Sequence, residues 1–174
     1  MKTVLFKGQV FGLLLVGLLV GGCSSRAVNI IAADDICKKS VEVHLVAVNR
    51  YEKDTWETMS MTDYWTPPEN QLRKSAKAYT HVIRFGQGPC EIVLDKKDPI
   101  QSIWKQRKAE YLFILADLRG IFSDLPGNAD ARRLSLPAVS SGDWGKLTKK
   151  INIRIEGGNI VPLTIPKEKG FFRI

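Results

Sequence analysis

The sequence contains few of the residues and motifs on which enzyme chemistry depends. It has only two histidines, His44 and His81, and neither is spaced with Cys, Asp or Glu as a metal ligand would be. It has no Gly-x-Ser-x-Gly nucleophile elbow and no glycine-rich phosphate loop. The carboxylates at residues 34–35, and at Asp95 and Asp98, lie in predicted loops where nothing places them as acid and base. We therefore expect no catalytic site, metal, cofactor or small-molecule substrate, and we interpret both histidines as structural.

Long basic tracts are also absent. The chain has 26 Lys and Arg residues against 18 Asp and Glu, which gives a formal net charge of +8. The basic residues come in pairs, at Lys38-Lys39, Lys96-Lys97, Arg132-Arg133 and Lys149-Lys150. No run is long enough, or mixed with enough aromatic residues, to indicate a nucleic-acid site. We expect these pairs to lie on a solvated face, and a face near anionic lipid or an acidic partner is the alternative.

No apolar run reaches the roughly 18 to 20 residues that span a bilayer. A largely apolar stretch at residues 10–20 follows Lys2 and Lys7, and it ends at Gly21-Gly22-Cys23. A positive start, an apolar stretch and two small residues before a cysteine are typical of a lipoprotein signal peptide. We predict that residues 1–22 are removed, that Cys23 is lipidated and that residues 23–27 form a tether. An ordinary signal peptide with a chance cysteine is the alternative.

The residue that follows Cys23 indicates where the lipoprotein resides. In enteric-type bacteria, Asp at this position tends to keep a lipoprotein in the inner membrane, whereas this chain has Ser24. We therefore expect the periplasmic face of the outer membrane. The protein would be held there by two or three acyl chains, which anchor far more firmly than one.

The cysteine count becomes even once Cys23 is lipidated. Cys37 and Cys90 then remain, in an oxidising compartment where disulfides persist. We predict that these two are bridged, which would close a loop of about 50 residues and stabilise the fold by ~3 to 4 kcal/mol on the chain-entropy model. Two separately buried thiols are the alternative.

Alternating and continuous apolar runs predict a single, mainly β domain over residues 28–174. Short strands are predicted at residues 28–33, 41–48, 79–85, 90–94, 111–116, 151–155 and 159–165, the last two joined by Gly157-Gly158. Residues 133–136 are a further candidate strand within a long connection. The later part of 41–48 and all of 111–116 are continuously apolar, which indicates strands buried on both faces. About seven closely spaced strands favour a two-sheet β-sandwich.

A helical insertion is predicted after the second strand. Asp54 with Glu57 fits a helix start, and the aromatic-rich stretch that follows ends at Pro67-Pro68. A second short helix is predicted at residues 68–76. Further on, Asp98-Pro99 indicates a break in regular structure, and residues 118–141 form a long irregular connection.

The order of these segments resembles the SciN/TssJ family of outer-membrane lipoproteins of the type VI secretion system. The similar stretches are residues 41–49, Trp56 with Asp63-Tyr64-Trp65, residues 82–86 with 92–95, residues 111–118, and residues 151–163. The chain departs from the family in its short first loop, in its cysteine pair and in the longer connection at residues 125–138. The resemblance implies a transthyretin/immunoglobulin-like β-sandwich with a helical insertion.

The resemblance also implies a binding role rather than catalysis. The family anchors a trans-envelope complex to the outer membrane by binding the periplasmic region of TssM, the IcmF-like inner-membrane protein. Carried onto this chain, the partner-binding loop comprises Asp34, Asp35, Ile36, Lys38, Lys39 and Ser40. We expect Ile36 to be the apolar anchor of that loop. A periplasmic β-sandwich lipoprotein that serves as a binding module or inhibitor, unrelated to secretion, is the alternative.

Overall fold

Eight strands and five short helices are found in the part of the chain that the structure, a computed structural model, describes: residues 25–66, 70–120 and 123–167. The strands are β1 (Ala27–Ala32), β2 (Glu42–Val48), β3 (Thr80–Arg84), β4 (Glu91–Leu94), β5 (Tyr111–Ala116), β6 (Arg133–Pro137), β7 (Lys150–Ile155) and β8 (Ile160–Pro162). The helices are α1 (Asp34–Cys37), α2 (Lys53–Thr58), α3 (Met61–Trp65), α4 (Gln71–Ala76) and α5 (Pro99–Gln106). The predicted signal peptide, Cys23 and Pro67-Pro68 lie outside the described residues.

The strands form two four-stranded sheets. Sheet A has the order β4-β1-β7-β8, and sheet B has the order β3-β2-β5-β6. Strands β1 and β7 pair in parallel, and every other pairing is antiparallel. The predicted two-sheet, mainly β sandwich is confirmed.

The core lies between the two sheets and also outside sheet B. Because successive strand residues point to opposite faces, Ile151, Ile153 and Ile155 of β7 all enter the space between the sheets, where each is fully buried. Helices α2 to α4 cover the outer face of sheet B, where the ring of Trp56 lies 6.1 Å from that of Phe113. Strands β2 and β5 are therefore buried on both faces, as their continuous apolar sequences predict.

Two buried arginines fasten the helical insertion to the long connection before β6. The guanidinium of Arg133 donates to the backbone carbonyls of Trp56 and Met59, and that of Arg132 pairs with Asp124 and Asp130. The side chain of Arg132 is only 4% exposed. The expectation that this basic pair lies on a solvated face was wrong, because both residues serve as multivalent donors inside the fold.

The carboxylate of Asp124 is the more exposed of the two that pair with Arg132. It accepts hydrogen bonds from the Ser60 hydroxyl and from the backbone N–H of Thr62, in addition to Arg132. Burial by itself raises the pKa of Asp124, but these donors outweigh it and hold the pKa at about 2. The ionised carboxylate therefore ties the start of α3 to the connection.

Two local predictions about helices were wrong. Asp98-Pro99 starts a helix instead of breaking the structure: the Asp98 side chain accepts from the N–H of Ile100 and caps α5, with Pro99 in its first turn. Asp54 does not cap α2, which begins at Lys53. The capping hydroxyl in this region belongs to Ser60, which accepts from the N–H of Asp63 at the start of α3.

The chain crosses from one sheet to the other between β3 and β4. Strand β4 follows β3 after a short connection, but it lies at the edge of sheet A beside β1 and does not pair with β3. The two strands are therefore edge strands of different sheets, and the crossover between them passes beside α1 at one end of the molecule.

Candidate interaction site

Helix α1 and its flanking residues form one end of the sandwich. The backbone N–H groups of Ile36 and Cys37 donate to the carbonyl of Ala33, so the predicted loop is in fact a single helical turn. Because one face of this turn packs on the core, Ile36 is 3% exposed, and Cys37 is also buried. The remaining predicted loop residues, Asp34, Asp35, Lys38, Lys39 and Ser40, are exposed.

The burial of Ile36 corrects one part of the predicted binding loop. An apolar residue between charged neighbours was expected to project as an anchor, whereas the helical turn directs it inward. The exposed charged residues stay available for a partner, and their binding role stays a prediction.

A disulfide holds the C-terminal end of α1. Cys37 is joined to Cys90 just before β4, with the two Cα atoms 5.0 Å apart and 53 positions apart in sequence. Next to it, the backbone N–H of Ala32 donates to the carbonyl of Cys90. The bridge therefore connects the end of the β1–α1 segment with the edge of sheet A.

Two glycines pack against the same turn. Gly86 has a φ of +113°, a backbone conformation that residues with a side chain rarely adopt. A Cβ placed on it would also lie only 3.0 Å from the carbonyl oxygen of Lys39, so both the backbone and the available space favour glycine. Gly157, in the β7–β8 hairpin, lies so close to Asp35 that a Cβ would come within 2.4 Å of its carboxylate. The backbone of the turn thus packs against the β3–β4 crossover, and its Asp35 side chain lies against the closing hairpin.

A cleft opens beside this turn. Its volume is about 390 Å³, and its lining comprises Ile36, Lys39, Ser40, Val41, Leu118, Arg119 and Gly157. The apolar members Ile36, Val41 and Leu118 are each almost completely buried and form the floor. The exposed Lys39 and Arg119 stand at the rim.

An adjoining cleft of about 210 Å³ shares Ser40, Val41 and Arg119 with the first. At its centre, the carboxylate of Glu42 accepts from Arg73 at 2.6 Å and from Arg84 at 2.8 Å. Burial by itself raises the pKa of Glu42, but a hydrogen bond from His44 and the two guanidinium charges outweigh it and lower the pKa. Glu42 is therefore an anion already shared between two cations.

The imidazole of His44 makes a further hydrogen bond to Glu42, the carboxylate shared by Arg73 and Arg84. Its Nε2 lies 2.7 Å from Glu42 Oε1 and its Nδ1 2.7 Å from the hydroxyl of Tyr64. Burial lowers the pKa of His44 and outweighs the opposing carboxylate, so the ring is neutral at pH 7. Because an ionised carboxylate only accepts, Nε2–H donates to Glu42 and Nδ1 accepts from Tyr64. His44 is therefore buried with both ring nitrogens hydrogen-bonded, which is consistent with its interpretation as a structural histidine.

Two further features of the described chain bear on the choice of site. No group of three His, Cys, Asp or Glu side chains that could hold a metal ion is found among the described residues. A larger open groove, about 580 Å³, runs beside β6 over Tyr111, Leu136 and Pro137. None of the helices in the described ranges is long and apolar enough to cross a bilayer.

The sequence predicted the α1 segment as a binding site but not the other residues that line the two clefts. Leu118, Arg119 and Gly157 come from connections far along the chain, while Arg73 lies in α4 and Arg84 ends β3. The alternation in β2 carried one usable signal, since Glu42 and His44 share the outward face of a strand that is otherwise apolar.

Comparisons with known proteins give structural matches only. No protein-family model matches the sequence, and no curated protein sequence is significantly similar to it. A chain from a structure described as a type VI membrane complex matches with a TM-score of 0.51 and 12% identity, covering 80% of this chain and 98% of that one.

Two further structures have weaker TM-scores. The Serratia marcescens Lip protein, a membrane-bound component of the type VI secretion system, matches with a TM-score of 0.49 and 11% identity, covering 82% and 97% of the two chains. The type VI lipoprotein TssJ1 from Pseudomonas aeruginosa matches with a TM-score of 0.46 and 12% identity, covering 82% and 98%.

The first of these matches identifies the class of fold. The chain is a two-sheet β-sandwich with a helical insertion, and the likeness to the matched chain of the type VI membrane complex extends over 98% of that chain. The resemblance to type VI secretion lipoproteins that the sequence predicts is thereby confirmed at the level of the fold.

Proposed function

We propose that this chain is a structural lipoprotein of the SciN/TssJ family, anchored at the periplasmic face of the outer membrane within a type VI secretion membrane complex. Its Cys23 would carry the acyl chains, and its α1 end would bind the periplasmic region of the IcmF-like protein TssM. The mechanism would be binding by a rigid surface, without catalysis.

The rigidity of the α1 turn is the observation that carries this proposal. The turn is fixed by a disulfide, by backbone packing at Gly86, and by the buried Ile36. A surface that is already ordered loses little conformational entropy when a partner binds, which favours affinity. The shared fold with a chain of a type VI membrane complex supports the proposal.

The direction of β1 is consistent with a lipid anchor at one end of the domain and a partner surface at the other. The strand begins at Ala27, four positions after Cys23, and it delivers the chain to α1 at its other end. Six residues at ~3.3 Å each separate the two ends by about 20 Å. The lipid tether and the proposed partner surface would therefore lie at opposite ends of the sandwich.

The filled interior speaks against the alternative of a carrier with an internal pocket. The space between the sheets is occupied by fully buried residues, including Val28, Ile30, Leu45 and Ile153, and the described clefts open at the surface. A small ligand enclosed between the sheets would have to displace these side chains, at a cost of several kcal/mol.

The anchor is tested by fractionation. Cys23→Ser should release the protein from the outer-membrane fraction into the soluble periplasm and abolish type VI secretion. Cys37→Ser is the matched control, because it removes a different cysteine and should leave the protein in the membrane. Retention of the Cys23→Ser protein in the membrane of cells that lack the partner contradicts the proposed anchor.

The partner is tested with the soluble mature chain and the purified periplasmic region of TssM. Binding is measured by biolayer interferometry for the wild type and for the double variant Asp34→Lys/Lys38→Glu. We expect the variant to bind more weakly with an unchanged melting curve. The absence of wild-type binding would refute the proposed partner.

A further inference from the structure

The two adjoining clefts at the α1 end form one continuous surface, which we call the basic cleft. It comprises the linings of both clefts, and Ser40, Val41 and Arg119 belong to each. The larger part, about 390 Å³, is at the lower end of the size range of ligand pockets and has room for a large side chain.

The charge of the basic cleft is unbalanced. Its lining has four cations, Lys39, Arg73, Arg84 and Arg119, against two carboxylates, Glu42 and Asp117. Glu42 is already shared by Arg73 and Arg84, so it neutralises neither fully. Lys39 lies 4.0 Å from the carboxylate of Asp35 in an exposed pair, whereas Arg119 makes no ion pair with any residue that the structure describes. The excess positive potential is therefore concentrated where the two clefts meet.

The floor of the basic cleft is apolar. Ile36, Val41 and Leu118 line its larger part, and all three are packed in the core. These side chains are held in place, so the floor cannot fold away when it is empty. A cation at the rim and an apolar floor favour a ligand that is both anionic and apolar.

The position of the basic cleft favours a protein over a lipid surface. It lies at the C-terminal end of β1, about 20 Å beyond the end where the chain enters from the proposed tether. The electrostatic attraction of anionic headgroups falls off within a Debye length, about 8 Å at physiological salt. A membrane that holds the N-terminal end is therefore too far away to reach Arg119.

We propose that the basic cleft binds an acidic segment of the partner protein, in which a large apolar side chain enters over Ile36 and Leu118 and flanking Asp or Glu residues pair with Arg119 and Lys39. This assignment rests on the proposed function and adds the chemistry of the segment that is recognised. The buried apolar contact supplies affinity, and the rim charges set orientation and association rate.

Charge reversal at Arg119 tests the acidic component. Binding of the purified periplasmic region of TssM is measured at several NaCl concentrations for the wild type, Arg119→Glu and the control Lys97→Glu. Lys97 is exposed in the β4–α5 turn, away from the basic cleft, and its substitution changes the net charge equally. We expect Arg119→Glu to weaken binding about tenfold or more and to reduce its salt dependence, with Lys97→Glu close to wild type.

Blocking the cleft tests the apolar component. Ser40 is exposed at the edge shared by the two clefts, so Ser40→Phe should fill the space without disturbing the core. We expect this variant to melt as the wild type does and to lose most of its affinity. A lysine substitution at an acidic residue of the partner that restores binding to Arg119→Glu would identify the segment.

The outcomes separate this inference from the proposed function. If the wild type does not bind TssM, the proposed partner is wrong. If the wild type binds and both Arg119→Glu and Ser40→Phe bind equally well, the partner stands and the basic cleft is not its site. If Arg119→Glu instead reduces binding only to phosphatidylglycerol vesicles, the cleft recognises lipid and the inference is overturned.

Discussion

The side chain of Asn128 hydrogen-bonds both backbone groups of Ser135, as a neighbouring strand would. Its Oδ1 accepts from the Ser135 N–H at 2.6 Å, and its Nδ2 donates to the Ser135 carbonyl at 3.3 Å. Ser135 is the central residue of β6, at the edge of sheet B. On either side, the N–H of Arg133 donates to Asp130, and Pro137 has no N–H. The edge is therefore closed to an added strand, as exposed edges in soluble proteins need to be.

Removing the Asn128 amide should open this edge. Asn128→Ala leaves two backbone groups of β6 without partners, so we expect a loss of about 1 kcal/mol in the free energy of unfolding and a new tendency to dimerise. Asn128→Asp is the matched control, because it keeps the acceptor for the Ser135 N–H and adds a charge that opposes strand pairing. Analytical ultracentrifugation and denaturant titration measure both effects; an Asn128→Ala protein that stays monomeric at high concentration would refute the role of the amide.

Reduction of the disulfide should destabilise the domain and release the α1 turn. For a separation of 53 residues, the chain-entropy model gives a loss of about 4 kcal/mol. We expect protein from an oxidising compartment to have no alkylatable thiol at Cys37 or Cys90, and we expect its melting temperature to fall on reduction. The double variant Cys37→Ser/Cys90→Ser should melt at the lower temperature with or without reductant. Free thiols at both positions in periplasmic protein would contradict the bridge.

The buried Ile36 should contribute to the stability of the domain whether or not a partner is bound. Truncation of a fully packed aliphatic side chain costs about 2 to 4 kcal/mol, so Ile36→Ala should lower the free energy of unfolding by that amount. Its exposed neighbour gives the control: Lys38→Ala should change stability by about 0.5 kcal/mol at most. Urea unfolding of the two variants decides the matter, and equal stabilities would mean that Ile36 is exposed in solution.

The Asp124 carboxylate should make the domain sensitive to acid. Its folded pKa, about 2, lies below its ordinary value of 3.8, so the unfolded chain binds more protons between these values. The stabilisation is complete above about pH 5 and is lost as the pH falls through 4 towards 2. Asp124→Asn should lose this part of the pH dependence, whereas Asp54→Asn, at an exposed position of α2, should retain it. Parallel pH profiles for wild type and Asp124→Asn would contradict the prediction.

Local sequence patterns predicted correctly those strands whose residue pattern follows from which of their faces is buried. The alternation of Ile151, Ile153 and Ile155 follows directly from one buried sheet face, and the apolar runs of β2 and β5 follow from burial on two faces. The start of α5 was also encoded locally, in Asp98 and Pro99, but was interpreted as a break because the same two residues are common in turns.

The remaining features depend on contacts between distant segments. Two of the carbonyls that accept from Arg133 lie 74 and 77 positions earlier in the chain, and no window of sequence around Arg133 contains them. The same holds for the basic cleft, which residues from three connections complete. The sheet in which β4 lies is likewise decided by its pairing with β1, about 60 positions away.

The position of β1 has a mechanical consequence. A pull between the N-terminal end of the described chain and α1 stretches this strand along its own axis, while hydrogen bonds to β4 on one side and β7 on the other run across the direction of the force. Those bonds are sheared together and cannot be unzipped one by one from an end. The Cys37–Cys90 bridge passes part of the tension directly to β4. A molecule stretched between a membrane and a moving partner would thus be strongest along the line of pull.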